Sequence, residues 1–329
     1  MNILDEFVSE NSGLSDRSLI TYRKALSEFE NWCRKENIEN LLCADYRSLL
    51  RYRSSLVSPK REPPLSSATA ATYISALKAF YKWAEKTGRG SNPALQIERT
   101  KIDKGFKKDA LTKEQVEQLL DGILTSEQTE SERIDMNMTL SPEEKAQLKK
   151  EAGKKTLRDY AAVNLIIRTG LRTVEVSRAN IGDIRKKGKD ILLYVQGKGR
   201  KEKKEFVILK PGAFEPIRMY LNLRKFTKPE LPLFTSVSNR NAEERLSQDY
   251  ISRIFKKALR NIGIDDSRIT AHSGRHTAAH LYLEAGGSIV KLQEMLRHAS
   301  VDTTRFYTAG MERLISPAEE VLEDYLEDI

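Results

Sequence analysis

Through the first 100 residues the apolar positions return every third or fourth residue, with polar residues on the opposite side. That period predicts helices with one buried face. A short amphipathic segment, Ile3, Leu4, Phe7 and Val8, ends at Gly13. Ser15 stands where it can cap a second helix through Leu19, Tyr22, Ala25, Leu26, Phe29, Trp32 and Cys33. Residues 43–56 predict a third helix, with Tyr46, Leu49 and Leu50 inward and Arg47, Arg51 and Arg53 outward. A loop at 58–64, SPKREPP, precedes a fourth helix capped by Ser66 or Ser67. Its inward face is Tyr73, Ile74, Leu77, Phe80, Tyr81 and Ala84, and Gly88 stops it. The hydroxyls at its start (Ser66, Ser67, Thr69, Thr72) suit phosphate contacts as well as a solvated face.

Residues 91–112 have few large apolar side chains and hold a basic cluster, Lys101, Lys104, Lys107 and Lys108, so they read as a linker. Thr112 opens a helix by T-x-x-Q that runs to Leu120. Residues 125–155 are polar and charged, and 141–155 predict a surface helix within an insertion that carries no chemistry. A fresh start at Thr156 and Asp159 leads into LRDYAAVNLIIRTG, apolar on most sides and ended by Gly170. Another helix starts at Thr173. The pattern then changes. DILLYVQ and KEFVIL flank GKGRKEK as two strands and a turn, a hairpin over 190–209. Residues 213–224 predict a helix with Pro216 in its first turn, and LPLFT from Leu231 a short buried segment. Ser247 caps a helix ended by Gly263, with Arg253, Lys256, Lys257 and Arg260 on one face. A further helix runs from near His272 to Gly286 and Gly287. The fold class is mainly α with a small β-hairpin or sheet.

Composition adds a size and a partner class. The 329 residues suit two domains, and 31% charged against 39% hydrophobic residues suits a globular chain. No apolar run reaches the roughly 18 residues of a membrane span. The acidic start, MNILDEFVSE, lacks a signal-peptide core. Cys33 and Cys43 have no metal-ligand spacing and read as thiols of a reducing cytoplasm. The net charge of +9 is uneven: +6 over 1–108, −6 over 312–329, and +9 between them. Two basic bodies point to a polyanion such as nucleic acid.

Candidate chemistry concentrates in residues 270–307. All four histidines lie there (His272, His276, His280, His298), with Arg275 three residues after the first and Tyr307 nine after the last. Cationic donors for phosphate oxygens and a hydroxyl nucleophile are what metal-free phosphodiester chemistry requires. His272, His276 and His280 share a helix face, a spacing that zinc also uses, but the Glu of H-E-x-x-H is absent and Arg275 would repel a dication. His276 and His280 read as packing or supporting residues. Arg172, in the turn after a buried helix, is either a cap for helix carbonyls or a fixed anion donor. Lys198, between Gly197 and Gly199, sits on either a phosphate-reaching finger or a solvated edge.

Together these motifs resemble the tyrosine recombinases, the family of phage-integrase and Xer type. The matching residues are Arg172 in TGLRTVEV, Lys198 in the GKG tip, His272 and Arg275 in HSGRH, His298 in LRHASVDTTRFY, and Tyr307 at its end, in the family's order. The likeness is strong over about 107–311 and weaker over the N-terminal helices; the insertion departs from it. It implies a helical, SAM-like core-DNA-binding domain at 1–100, a basic linker at 101–111, and an α+β catalytic domain at 112–311 with the insertion near 125–155. It also implies a protomer-docking helix at 312–329, and no arm-binding domain ahead of the helical one.

The activity implied is site-specific DNA recombination through a 3′-phosphotyrosyl intermediate and a Holliday junction, needing no cofactor, metal or ATP. Tyr307 would be the nucleophile, Arg172 and Arg275 the phosphate clamp, Lys198 the general acid, His272 a base or phosphate donor, His298 a phosphate donor, and Glu175 the acid that orients them. Tyr282, Thr308 and Ser273 are lesser hydroxyl candidates. The implied partners are double-stranded DNA with specific recombination sites, three further copies in a homotetramer, and accessory DNA-bending or activating proteins, with no membrane. The expected place is the cytoplasm, at the nucleoid. The alternatives are a type IB topoisomerase-like or telomere-resolving strand transferase, or a non-catalytic DNA-binding protein on the same fold.

Overall fold

The structure is a computed structural model that describes residues 2–11, 13–14, 16–58, 61, 65–98, 110–197, 202–225, 227–237, 243–266 and 268–297. Ser15, most of the basic linker, the hairpin tip at Lys198 and everything from His298 onward lie outside the described residues. The chain divides into two compact units, Met1–Gly105 and Phe106–Ile329.

The first unit is built from α1 (Ile3–Glu10), α2 (Asp16–Lys35), α3 (Tyr46–Leu56) and α4 (Ser67–Lys86). The predicted stripes meet in one core that includes Phe7, Leu26, Phe29, Leu49, Leu77 and Phe80. Aromatic rings fill its centre, Phe7 edge-on to Phe80 at 5.7 Å and to Trp83 at 5.5 Å, a geometry that ring quadrupoles favour. Ser66, not Ser67, caps α4 by accepting from the Thr69 N–H. Asp45 caps α3, so the helix starts later than residue 43. That start rotates Tyr46 out to 39% exposure and brings Tyr52 in. Tyr81 Oη donates to the Leu41 carbonyl at 2.5 Å, tying α4 to the 3-10 turn before α3.

In the second unit, α5 (Lys113–Met136) and α6 (Pro142–Thr169) pack along each other. The capping box at Thr112 and Gln115 forms as read. The predicted helix starts and stops inside 120–156 do not. Helix α5 continues past Leu120 to Met136, and α6 begins at Ser141 rather than Thr156. Ser141 accepts from Glu144 N–H, Glu144 answers to Ser141 N–H, and Pro142 stands at the first position. That cap outcompetes Thr156, which is buried mid-helix. From Ala161 onward α6 is buried on nearly all sides, touching α8, α9 and α10, defined below.

The hairpin forms, as β2 (Asp190–Val195) and β3 (Glu205–Leu209), antiparallel with Leu193 opposite Val207. An unpredicted strand, β1 (Ile184–Lys187), adds to its edge in the order β1-β2-β3. Helix α7 (Thr173–Arg178) precedes the sheet, and α8 (Pro211–Asn222) follows it. Since α8 opens at Pro211, Pro216 is interior rather than in the first turn. A proline there cannot donate to the carbonyl four residues back, that of Gly212. The buried Asn164 of α6 donates to that oxygen instead, at 2.7 Å. Helices α9 (Gln248–Asn261), α10 (Ala271–Glu284) and α11 (Ile289–Leu296) are the last described elements of the unit, α9 capped by Ser247 and α10 by Thr270.

Candidate active site

Gly170 ends α6 in the left-handed conformation, φ 62°, and a Cβ there would lie 2.6 Å from Leu296 Cδ2. Glycine is favoured on both counts. Two residues on, Arg172 is the N-cap of α7, and Glu175 holds it twice. The Glu175 carboxylate accepts from the Arg172 backbone N–H at 2.8 Å and from Arg172 Nη1 at 3.0 Å. Glu175 is fully buried, whereas the Arg172 side chain keeps 27% exposure. A buried carboxylate anchors the guanidinium and leaves one edge turned to solvent.

Helix α10 brings the next pair. Its cap is reciprocal: Thr270 accepts from His272 N–H, and Ser273 Oγ accepts from Thr270 N–H at 3.0 Å. Ser273, buried and committed to that cap, is removed as a nucleophile. Gly274 lets α10 lie close to α6 and α9, since a Cβ would meet Ile166 Cγ2 and Phe255 Cε2 at 3.0 Å each. Arg275 is fully buried. Its Nη1 donates to the Gly170 carbonyl at 2.5 Å and its Nη2 to the Leu296 carbonyl. Two of its five N–H donors thus bind the ends of α6 and α11 to α10.

His272 keeps an exposed edge. Surrounding protein, and then the charges of Arg275 and Arg172, hold its pKa below the usual imidazole range. His276 is half-buried, edge-on to His272 at 5.0 Å. His280 faces Glu284 at 3.6 Å. Tyr282 is half-buried, and its ring packs where a side chain on Gly287 would be.

Of the residues read from the sequence, Arg172, Glu175, His272 and Arg275 come together, while Lys198, His298 and Tyr307 lie outside the described residues. The foot of the Lys198 hairpin is held: Lys203 donates to Asp183 Oδ2 at 2.5 Å and to the Arg178 carbonyl at 3.1 Å. Among the buried arginines that the sequence did not single out are Arg158 and Arg297. Arg158 is fully buried against Asp159, the Thr235 carbonyl and the Tyr250 hydroxyl. Arg297, at the end of α11, donates to Glu175 Oε2 at 2.9 Å.

Residues 138–313 match the model of the phage integrase family, and residues 3–88 that of the phage integrase N-terminal SAM-like domain. Among curated relatives, the chain is 26% identical over 308 residues to a tyrosine recombinase XerC of Corynebacterium glutamicum, covering 93% of this chain and 86% of that one. It is 28% identical over 308 residues to a tyrosine recombinase XerD of Oceanobacillus iheyensis, covering 92% and 90%. The fold is similar to that of an XerH site-specific recombinase bound to its palindromic difH substrate in a post-cleavage complex, with a TM-score of 0.61, 22% identity, and 88% and 73% of the two chains covered. With more than half of its length inside the family's model, the chain belongs to the phage integrase family.

Proposed function

We propose that the chain is a site-specific DNA recombinase, a strand transferase that cuts and rejoins double-stranded DNA at its own recombination sites. One observation carries the residue assignment: Arg172, held by buried Glu175 with an edge open to solvent, stands two residues from the Gly170 carbonyl that Arg275 of α10 binds at 2.5 Å. The open edge of Arg172, with the second guanidinium and the His272 imidazole on the neighbouring α10, suits a phosphate that gains charge. In this reading Tyr307 Oη attacks the scissile phosphorus, its proton passing to His272 as base. The bond to the 5′-oxygen breaks, and Lys198 protonates that oxygen. Arg172, Arg275 and His298 hold the non-bridging oxygens, and Glu175 keeps Arg172 in place. The phosphotyrosyl bond stores the energy of the cut, so a 5′-hydroxyl from the partner duplex rejoins without ATP.

Two exchanges on two duplexes call for four active sites, so we assign the chain to a homotetramer on DNA, with a Holliday junction between the exchanges. Unit 1 serves as core-DNA-binding domain, the basic linker as its tether, and 312–329 as a docking helix. The substrate places the work at the chromosome, in the cytoplasm. The recombinase names of the relatives do not favour the topoisomerase-like alternative.

The test is adduct capture. Fragmented DNA from the source organism is incubated with the protein, denatured, and searched for covalent protein–DNA species, whose sequences define the site. Adducts are expected with the wild type, with or without EDTA, and none with Tyr307→Phe. Equal adduct yield from Tyr307→Phe would overturn the nucleophile assignment, and an absence of wild-type adducts would overturn the reaction.

A further inference from the structure

Arg297 stands where a charged side chain is costly. It closes α11 at φ 54° and ψ 47°, the left-handed region that favours glycine. Its side chain is 6% exposed. Burial, ahead of the attraction of Glu175, lowers its pKa, and neighbouring Arg172 lowers it further. Among the described residues its Nε has no hydrogen-bond partner, and Glu205 Oε2 lies 4.0 Å away. A strained and desolvated cation persists only where its surroundings over-determine it.

Those surroundings are three elements of the candidate site. Nη2 donates to Glu175 on α7 at 2.9 Å, and Nη1 to the Met295 carbonyl on α11 at 2.9 Å. Nε faces Glu205, the first residue of β3, the strand that returns from the Lys198 turn. A lone carboxylate beside a guanidinium forms a two-pronged pair with it. Here the backbone N–H of Arg172 and Nη2 of Arg297 take Glu175 Oε2, and only Oε1 is left for Arg172 Nη1. Among the described residues the other donors of the Arg172 guanidinium have no hydrogen-bond partner, which leaves them for an anion.

We propose that Arg297 is a positioning residue for strand cleavage. It occupies one oxygen of Glu175, so that Arg172 is anchored at one nitrogen and presents the rest of its fork to phosphate. Its Nε also faces Glu205 Oε2 at the start of β3, at 4.0 Å. This rests on the recombinase reading above.

The test compares Arg297→Gln, Arg297→Gly and Arg297→Lys with the wild type on a nicked duplex carrying the site recovered from wild-type adducts. Three quantities are read: the single-turnover rate of adduct formation, the DNA Kd, and the melting temperature. Gln and Gly should lose roughly 10–100-fold in rate, the cost of misplacing a reacting group by an ångström or less, with Kd little changed. Lys, still a cation beside Glu175, should recover part of the rate. Gly also relieves the left-handed backbone, so it should cleave slowly even if it melts no lower than the wild type. Arg297→Gln cleaving at the wild-type rate overturns the proposal. So does a loss confined to Kd, or rates that follow melting temperature across the three variants. Wild-type adducts with unaffected variants remove only the role of Arg297, whereas no wild-type adduct removes the recombinase reading itself.

Discussion

Arg172 and Arg275 carry the same charge in different settings, and their substitutions should differ accordingly. Arg172 is held by one buried carboxylate and keeps an open edge, so its loss should fall on the chemistry. Arg172→Lys replaces a planar fork by a point charge. It should cost about 2.7–4 kcal/mol of transition-state stabilisation, the range for an oxyanion donor, with little change in DNA affinity. Single-turnover cleavage beside a binding titration checks this; near-wild-type cleavage would give Arg172 a purely structural role. Arg275 also holds two helix ends, so its truncation should lower both melting temperature and rate.

His272 gives a pH test whose sign follows from its lowered pKa. The folded protein favours the neutral ring, so the stability this contributes is fully present above the ordinary value of 6.5 and is lost as pH falls through the folded value. His272→Gln should therefore flatten the acid side of the melting-temperature profile. If His272 is the base, the acid limb of the cleavage rate should also sit below pH 6.5. A limb above that value would contradict the neutral assignment.

At this scale the sequence exposed what is chemically unusual. Four histidines in one stretch and an arginine in a Gly-ended turn stood out. Arg297 did not, because its carboxylate, Glu175, is 122 residues away; Arg158 did not, because it stands beside Asp159 as an ordinary charged pair and only its bond to the Thr235 carbonyl, 77 residues on, shows it buried. A cation in a polar stretch reads as solvated until the fold supplies its carboxylate.

Elements were legible where a local signal had no rival. The capping box at Thr112, the stop at Gly170 and the strand read over KEFVIL all persist in the structure. Phe206 and Ile208 face out while Val207 and Leu209 face in. Thr156 failed because a better cap stood fifteen residues earlier and nothing between them breaks a helix. Strand β1 was hidden because three of its four residues are exposed and charged, leaving only backbone pairing with β2 to define it.

Pro216 offers a test at the same scale. Asn164 serves the Gly212 carbonyl that Pro216 leaves without a helical donor, and its Oδ1 accepts from Arg168 Nε. Asn164→Ala should destabilise the second unit by about 1–3 kcal/mol, the cost of stranding buried polar groups. In a Pro216→Ala background the helix regains an N–H for Gly212, so the same change should cost less. A double-mutant cycle by denaturant unfolding measures the difference. Strict additivity would mean that Asn164 acts only through Arg168.

Charge acts at the scale of the whole molecule. The basic excess lies in 1–108 and in the middle of the chain, and the last 18 residues carry −6. Affinity for a duplex should fall steeply with salt, because each neutralised phosphate releases counterions. An acidic tail cannot contribute to that binding, yet 316–329 has helix-forming design in its sequence. Ser316 is placed to cap, Pro317 to follow at the first position, and Glu319 and Glu320 to fill the first turn. Val321, Leu322, Tyr325, Leu326 and Ile329 make one apolar stripe. A stripe needs a protein surface, and DNA repels the charge around it. We expect that surface to belong to a neighbouring protomer. Deleting 316–329 should then leave binding to a one-site duplex unchanged or slightly tighter, with the same salt dependence. Cooperative filling of a two-site duplex and the yield of recombinant should both drop. Sedimentation of the truncated protein on the two-site duplex decides between docks: unchanged cooperativity would place the helix on its own domain.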